Sequence, residues 1–325
     1  MLHVALFGAG RIGAIHARNA AAHPALSLKY VVDPQGHAAA RLAREVSAEV
    51  VAIDDALADP EVAGVIIASP TGSHLDQCLR AAASGNAIFC EKPIDLDLAR
   101  ARAAASALTG ARLLLDFNRR FDPHFQALKR RLDAGAVGAL ETLNITSHDP
   151  APPPVSYIAH SGGLFRDMTI HDFDTARWLL GEAPVEVFAT ASCLIDPAIG
   201  RAGDVDTAKV LLRTPSGKIC LISNSRRSGY GYDQRIEAFG SAGAARVGNV
   251  TLSAVSTWTE VGAVADKFEN FFIDRYADAY RLAMDHFAQV LEGAEPKVGL
   301  NEALAALALA EAAEQSSRIG APVRL

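Results

Sequence analysis

The chain has 325 residues, which is the length of about two ordinary domains and enough to bury a full hydrophobic core. Half of the residues are apolar and 21% are charged, a composition typical of globular proteins and unlike that of disordered or collagen-like chains. The formal net charge is −6, from 31 basic and 37 acidic residues, so we expect no nucleic-acid-binding surface.

Strands and helices alternate over the first third of the sequence. The predicted strands lie at residues 2–7, 28–33, 64–69, 87–90 and 111–117. The predicted helices lie at residues 14–22, 36–46, 74–84 and 97–109. This βαβα order is typical of a doubly wound parallel sheet, so we predict an α/β domain over residues 1–119.

The pattern changes after Arg120. A helix (residues 123–134) and a strand (140–147) are predicted before the proline cluster at 150–154, which favours a loop because proline cannot sit inside a helix or a central strand. A further helix is predicted at 167–180 and is ended by Gly181.

From Val185 onward apolar and polar residues alternate with a period of two, which is typical of strands with one buried face. After this first run, strands are predicted at residues 207–214, 218–226, 233–239 and 246–256, followed by helices at 272–292 and 301–317. We therefore predict that residues 120–325 form an α+β domain with an open, mainly antiparallel sheet.

A glycine-rich turn joins the first predicted strand to the first helix. Gly8, Ala9, Gly10, Arg11, Ile12 and Gly13 form the pattern GxGxxG. In this context the glycines permit a tight turn, close approach to a pyrophosphate and close helix packing. Asp33 follows at the end of the second strand, where a carboxylate binds ribose hydroxyls and repels a 2′-phosphate. The pattern predicts a Rossmann domain that binds NAD in preference to NADP, although Asp33-Pro34 is also a good turn opener.

Two longer motifs are more specific. CEKPIDLDL at residues 90–98 and SGGLFRDMTIHDFDTARWLLG at residues 161–181, together with the glycine-rich turn, resemble the Gfo/Idh/MocA oxidoreductase family. Segments at 149–154, 166–174, 203–208, 224–240 and 271–280 resemble the members of that family that oxidise inositols. The resemblance implies NAD-dependent oxidation of myo-inositol to its 2-keto form, and a homotetramer assembled through the open sheet faces.

The helix motif carries groups suited to this chemistry. Asp167 and His171 are four residues apart, so they project from one face of the predicted helix. Oxidation of a secondary alcohol requires removal of the hydroxyl proton, and imidazole can accept a proton at neutral pH, so His171 is the predicted general base. By resemblance, Asp167 binds substrate hydroxyls and orients the imidazole, and Lys92 contacts the reacting hydroxyl and the nicotinamide ribose.

The resemblance also implies further site residues. The expected cofactor contacts beyond the glycine-rich turn are Ser69, Pro70, Thr71, His74, Glu91, Lys92 and Arg119. The expected substrate contacts are Asn118, Asp149, His160 and Tyr232. Open α/β sheets place ligands at the carboxyl ends of their strands, which suits Asn118 and Arg119.

Other interpretations stay open at this point. Lys92 could be an exposed loop lysine, Asp167 an acid that interacts with the helix dipole, and His171 a histidine with a purely structural role. A metal bound by Asp167, His171 and His160 is conceivable, but hydride transfer to NAD gives it no task, so no metal is predicted. The enzyme could act on scyllo-inositol, another isomer or a pyranose, and a few family members are regulators that bind a nucleotide without turnover.

Cysteine spacing and hydropathy bear on location. Cys78, Cys90, Cys193 and Cys220 form no CxxC pair, which favours reduced thiols over disulfides or zinc. The longest apolar run is the eight residues from Ala303 to Ala310, much shorter than the ~20 that cross a bilayer. The amino-terminal sequence is typical of a strand and not of a signal peptide, so we expect a cytoplasmic protein.

Overall fold

The computed structural model describes residues 1–325, apart from the side chain of Ala159. The chain forms two compact units. The first contains Met1–Phe121 and Ala279–Leu307, and the second contains Asp122–Asp278 and Ala308–Leu325. The first unit thus combines a segment close to the predicted domain of residues 1–119 with Ala279–Leu307, a segment from near the end of the chain that was predicted to belong to the second domain.

The first unit contains a parallel sheet whose strand order is β3-β2-β1-β4-β5-β6. Its strands are β1 (Leu2–Phe7), β2 (Leu26–Val32), β3 (Glu49–Val50), β4 (Val62–Ile67), β5 (Ala87–Glu91) and β6 (Leu113–Asp116). The helices between them are α1 (Arg11–Ala22), α2 (Gly36–Val46), α3 (Ile53–Ala58), α4 (His74–Ala83) and α5 (Leu98–Ala104). The central strands are almost wholly buried and apolar, as expected of parallel strands covered on both faces. The predicted doubly wound sheet is confirmed.

The second unit contains a larger, mixed sheet whose strand order is β12-β11-β7-β10-β9-β8-β15. Its strands are β7 (Leu140–His148), β8 (Glu186–Ser192), β9 (Thr207–Arg213), β10 (Ile219–Ser225), β11 (Asp233–Gly240), β12 (Gly243–Val247) and β15 (Val323–Arg324). A separate hairpin consists of β13 (Ser256–Thr259) and β14 (Gly262–Ala265). The pairing of β7 with β10 is parallel and the other pairings are antiparallel, so the predicted open, mainly antiparallel sheet is also confirmed.

The remaining helices come after β6 in the chain. They are α6 (Pro123–Asp133), α7 (Val155–Ser161), α8 (Ile170–Leu180), α9 (Pro197–Arg201), α10 (Phe272–Arg275), α11 (Ala277–Leu291) and α12 (Leu300–Ile319). A π-helical turn, Phe165–Thr169, precedes α8, and Gly181 ends that helix with a φ of 72°. Among the described residues, no helix is both long and apolar enough to cross a membrane.

Several predicted elements need correction. The strand predicted at 246–256 is wrong, because β12 ends at Val247, β13 begins at Ser256, and the segment between them forms an isolated bridge from Thr251 to Phe268 in place of a strand. The helix predicted at 272–292 is divided into α10 and α11. Helices α3, α7 and α9 were missed, since elements of five to seven residues show too little periodicity to be recognised in a sequence.

Candidate active site

The turn between β1 and α1 is shaped by glycine. Gly8 has a φ of +102°, and a Cβ atom built on it would lie 2.5 Å from the carbonyl oxygen of Ala68. A Cβ atom on Gly13 would lie 1.9 Å from the carbonyl oxygen of Gly8. Both positions therefore exclude any side chain, and the chain can turn tightly from the strand into the helix.

The amino-terminal end of α1 is open. Gly10 precedes the helix and gives it no side-chain cap, and nothing lies within 4 Å of the position where its Cβ would be. The first backbone N–H groups of a helix carry partial positive charge and bind phosphate when the backbone can be approached closely. The residues present thus fit the pyrophosphate of a dinucleotide.

Asp33 lies beside this turn, directly after β2. Its Oδ2 accepts a hydrogen bond of 2.7 Å from the backbone N–H of Ala9, and its Oδ1 accepts one of 2.7 Å from the backbone N–H of Gln35. The carboxylate is therefore fixed next to the glycine-rich turn, where the ribose of a dinucleotide is bound in Rossmann folds.

The loops after β4 and β5 are joined by one buried histidine. His74 is 2% exposed, and its Nε2 and Nδ1 lie 2.8 Å from the carbonyl oxygens of Ser69 and Pro93 respectively. Ser69 also donates a hydrogen bond of 2.7 Å to Gln77. His74 thereby ties the loop of Ser69, Pro70 and Thr71 to the loop that follows Glu91 at the end of β5. In this second loop the peptide bond from Lys92 to Pro93 is cis.

A cluster of ionisable side chains lies near Lys92, whose charge acts on two of its members. His16 Nε2 is 2.7 Å from Glu91 Oε1 and 3.6 Å from Asp116 Oδ2. Burial opposes ionisation of Glu91, but the hydrogen bond and charge of His16 and the charge of Lys92 outweigh it, so the pKa of Glu91 is lowered. Burial, reinforced by the charge of Glu91, raises the pKa of Asp116 well above its usual value.

The same three side chains are a possible metal cluster by distance alone. One ligand atom from each of His16, Glu91 and Asp116 lies within 4.8 Å of the others. The hydrogen bond between His16 and Glu91 accounts for the proximity of those two side chains.

Asn118 and Arg119, in the turn after β6, are both 3% exposed.

In the second unit, Asp167 and His171 lie on consecutive helical segments. Asp167 belongs to the π-helical turn and His171 to the first turn of α8. Both are half-buried, whereas the intervening Met168, Thr169 and Ile170 are buried. The carboxylate and the imidazole therefore share the more exposed side of this segment.

A buried network fixes this segment against the sheet. Asp172 accepts hydrogen bonds from Ser147 (2.6 Å) and Asn224 (2.7 Å), and Asn224 accepts one from Thr169 (2.7 Å). Ser147 and Asn224 are register partners on β7 and β10. A satisfied buried network of this kind holds its members in one arrangement, so it positions the neighbouring His171.

Polar residues collect where β7 and β10 end together. His148 pairs with Ser225 in register, and the N–H of Asp149 donates a hydrogen bond of 2.9 Å to the carbonyl oxygen of Ser225. Burial lowers the pKa of His148, although the nearby Asp233 acts against this shift. The parallel pairing of β7 and β10 thus brings Asp149, at the carboxyl end of β7, close to the carboxyl end of β10.

The other predicted substrate residues have contrasting environments. Tyr232 is 7% exposed and packs edge-to-face on Tyr276, with ring centroids 6.0 Å apart. His160 is exposed near the end of α7. Tyr230, a neighbour of Tyr232 that is not among the predicted substrate residues, is 56% exposed and donates a hydrogen bond to Asp233.

The residues that hold Asp167 were not identified from the sequence. Tyr157 donates a hydrogen bond of 3.0 Å to Asp167 Oδ1, and Arg226 Nη1 lies 3.3 Å from Asp167 Oδ2. Arg226 lies within the 224–240 motif, but no spacing rule connects it to a carboxylate 59 residues earlier.

Comparisons with known proteins agree with this architecture. Residues 2–117 match the model of an oxidoreductase family with an NAD-binding Rossmann fold, and residues 125–246 match the model of the GFO/IDH/MocA C-terminal domain. The inositol 2-dehydrogenase of Rhizobium meliloti (strain 1021) is 49% identical over 314 residues, covering 96% of this chain and 95% of that protein.

Two further proteins are similar along their whole length. The scyllo-inositol 2-dehydrogenase (NAD(+)) of Bacillus subtilis (strain 168) is 37% identical over 327 residues, covering 99% of this chain and 95% of that protein. The crystal structure of a myo-inositol dehydrogenase from Corynebacterium glutamicum ATCC 13032 has a TM-score of 0.96 and 43% identity, covering 100% of this chain and 99% of that one. The family predicted from the motifs is thus confirmed, and this chain belongs to the GFO/IDH/MocA oxidoreductases, with the NAD-binding Rossmann fold of that family in its first unit.

Proposed function

We infer that this protein is an NAD-dependent dehydrogenase that oxidises myo-inositol to 2-keto-myo-inositol (scyllo-inosose). The observation that carries this proposal is the 49% identity to an inositol 2-dehydrogenase along 96% of the chain, which includes both compact units. The polar side chains described above supply the groups that oxidation of a polyol requires.

The first unit supplies the residues for the cofactor. The turn from Gly8 to Gly13 would hold the pyrophosphate, and Asp33 would bind the ribose hydroxyls and repel the 2′-phosphate of NADP. The residues assigned to the nicotinamide half are Ser69, Pro70, Thr71, His74, Glu91, Lys92 and Arg119. His74 acts there by joining two loops, since both of its ring nitrogens lie against backbone carbonyls. When bound, NAD supplies the acceptor for the hydride that leaves the substrate carbon.

The proton chemistry is assigned to three side chains. His171 removes the proton of the reacting hydroxyl, and the Lys92 ammonium stabilises the negative charge that develops on that oxygen. Asp167 accepts hydrogen bonds from substrate hydroxyls and orients the imidazole. No step in this scheme uses a metal ion.

Recognition of the ring is assigned to Asn118, Asp149, His160 and Tyr232. Each ring hydroxyl that enters a buried site without a partner costs ~1–3 kcal/mol, so the choice among stereoisomers depends on such side chains. The similarity to a scyllo-inositol dehydrogenase makes scyllo-inositol the second candidate substrate.

We also propose a cytoplasmic location and a homotetramer. All four cysteines are free, as expected in a reducing compartment. On the outer face of the large sheet, Phe188, Leu211 and Phe239 are 37%, 41% and 50% exposed, and Leu194, just after β8, is 71% exposed. Exposed apolar residues on one sheet face favour assembly through that face.

The proposal is tested by initial rates of NADH formation with NAD and with NADP. The panel of substrates is myo-inositol, scyllo-inositol, D-chiro-inositol and D-glucose. A preference for myo-inositol with NAD is the expected result. Activity confined to another polyol would overturn the substrate but keep the chemistry, and NADH binding without any turnover would favour a nucleotide-binding regulator.

A further inference from the structure

A buried arginine beside Asp167 is not used by the chemistry assigned so far. Arg226 is 1% exposed and is one of the largest fully buried side chains of the protein. Its Nη1 lies 3.3 Å from Asp167 Oδ2 and its Nη2 lies 3.6 Å from Asp204 Oδ2. One buried guanidinium therefore faces two carboxylates, one of which is a proposed substrate-binding group.

Arg226 is anchored at both its backbone and its side chain. Its N–H donates a hydrogen bond of 2.8 Å to the carbonyl oxygen of Asp206, which fixes the backbone just after β10. Asp204 Oδ1 accepts a hydrogen bond of 3.0 Å from the N–H of Leu164, three residues before Asp167. A Cβ atom on Gly163 would lie 2.8 Å from the same oxygen, and the φ of this residue is +80°, so a glycine is needed for Asp204 to approach.

These contacts form one chain of charge and hydrogen bonds. It runs from Leu164 through Asp204 and Arg226 to Asp167, so it begins and ends on the segment that carries the proposed substrate-binding carboxylate. The other oxygen of Asp167 accepts the hydrogen bond from Tyr157, which is 49% exposed. Both oxygens of the carboxylate therefore have defined directions before a substrate enters.

The guanidinium also keeps unused donors. Among the described residues, Nε and Nη2 of Arg226 have no hydrogen-bond partner, and Asp204 Oδ2 has none either. Buried donors are normally satisfied in a residue that serves stability alone, and departures from this rule concentrate at functional sites.

We propose that Arg226, held by Asp204, is a positioning residue that fixes the Asp167 carboxylate in the orientation required to bind a polyol hydroxyl. The proposal rests on the proposed function, since it gives a further residue for the same reaction. Because Arg226 acts through Asp167, its loss affects substrate binding and turnover and leaves cofactor binding unchanged.

The decisive variant is Arg226→Lys, which keeps the charge but removes the forked geometry that reaches two carboxylates. We expect kcat/KM for myo-inositol to fall by about 10²-fold, because a small displacement of a positioned group such as the Asp167 carboxylate has an effect of that size. The KM for NAD should stay within about twofold. Arg275→Lys is the matched control, since Arg275 is 6% exposed and pairs with the buried Asp122. An equal loss of kcat/KM in this control, or an equal rise in the KM for NAD, would show that Arg226 serves the fold alone.

A double-mutant cycle with Asp167→Asn shows whether Arg226 affects substrate binding through Asp167. Myo-inositol affinity is measured calorimetrically on the NADH-bound protein, so the readout does not depend on turnover. We expect Arg226→Lys to weaken binding in the wild-type background and to add almost nothing in the Asp167→Asn background. Additive losses would overturn the proposal.

A crystal structure of Arg226→Lys gives an answer that is independent of the substrate. We expect the carboxylate of Asp167 to be displaced in the variant, and an unmoved carboxylate would overturn the positioning role. If the wild-type protein binds NADH but neither binds nor oxidises any inositol, the proposed function has failed, and the position of Asp167 in this crystal structure still decides whether Arg226 positions it.

Discussion

His171 and Asp172 are consecutive residues of α8 with opposite environments. Asp172 is fully buried and accepts hydrogen bonds from β7 and β10, whereas His171 is half-buried. The buried acid holds the helix against the sheet and thereby fixes the backbone that carries the adjacent imidazole. Positioning and proton transfer are thus assigned to different side chains.

Removal of the imidazole tests its role as the base. We expect His171→Ala to lose about 10²- to 10⁴-fold in turnover of myo-inositol, because the hydroxyl proton then has no positioned acceptor. NADH binding, followed by fluorescence titration, is expected to be unchanged. His37→Ala, an exposed histidine of α2, is the control and should keep full activity. Turnover close to wild type in His171→Ala would contradict the assignment.

The cluster of His16, Glu91 and Asp116 near Lys92 predicts that the stability of the protein depends on pH. The pKa of Asp116 is raised in the folded protein by burial and by the charge of Glu91, above an unfolded value of about 3.9. Its contribution to stability is therefore present below that value and is lost as the pH rises through the folded pKa. Asp116→Asn lacks this loss, so its free energy of unfolding should increase relative to wild type as the pH rises.

Glu91 provides the opposite slope. Its pKa is lowered in the folded protein, so its contribution is present above an unfolded value of about 4.3 and is lost as the pH falls through the folded pKa. Glu91→Gln should therefore become less stable than wild type as the pH rises. Urea unfolding of both variants at a series of pH values measures these slopes, and parallel slopes for the two variants would contradict the assigned charge states.

At the scale of elements, the turn from β1 to α1 separates two roles of glycine. A Cβ atom on Gly13 meets the backbone, whereas one on Gly10 meets no atom within 4 Å. We expect Gly13→Ala to lower the melting temperature, and Gly10→Ala to fold normally but to raise the KM for NAD by about tenfold or more, because its methyl group occupies the place of the pyrophosphate. Gly36→Ala, also without close neighbours, is the control. A normal KM in Gly10→Ala would argue against a pyrophosphate at this turn.

Elements with long, regular patterns were predictable from the sequence. Strands such as β4 and β9 and helices such as α2 and α12 lie within a few residues of their predicted positions, since burial on one face leaves a clear period and burial on both faces leaves a continuous apolar run. The segment from 248 to 255 was wrongly predicted as a strand. It lies between β12 and the hairpin and forms an isolated bridge from Thr251 to Phe268, and β-rich composition alone cannot distinguish such a segment from a continuous strand.

At the scale of the whole molecule, the outer face of the large sheet predicts assembly. Phe188, Leu211 and Leu221 are neighbours across three strands and are 37–43% exposed in the single chain. Leu221→Asp places a charge in this patch, so we expect a tetramer to dissociate, as measured by light scattering during size-exclusion chromatography. Leu252→Asp, at an exposed residue outside the sheet, is the control and should leave the mass unchanged. A tetramer that survives Leu221→Asp would exclude this face.

The sequence by itself determined the fold class and the family, and it predicted the glycine-rich turn as an NAD site and Asp167 and His171 as groups on one helix face, because each of these motifs consists of residues close together in the chain. The tertiary structure decided which residues, distant in the sequence, contact the side chains of these motifs. Arg226 and Asp204 reach Asp167 only through the register of β9 and β10, and His16 reaches Glu91 only through the order of the parallel strands. Periodicity reports the burial of a residue, but the partner of a buried charge is set by strand order and register, which a single sequence does not state.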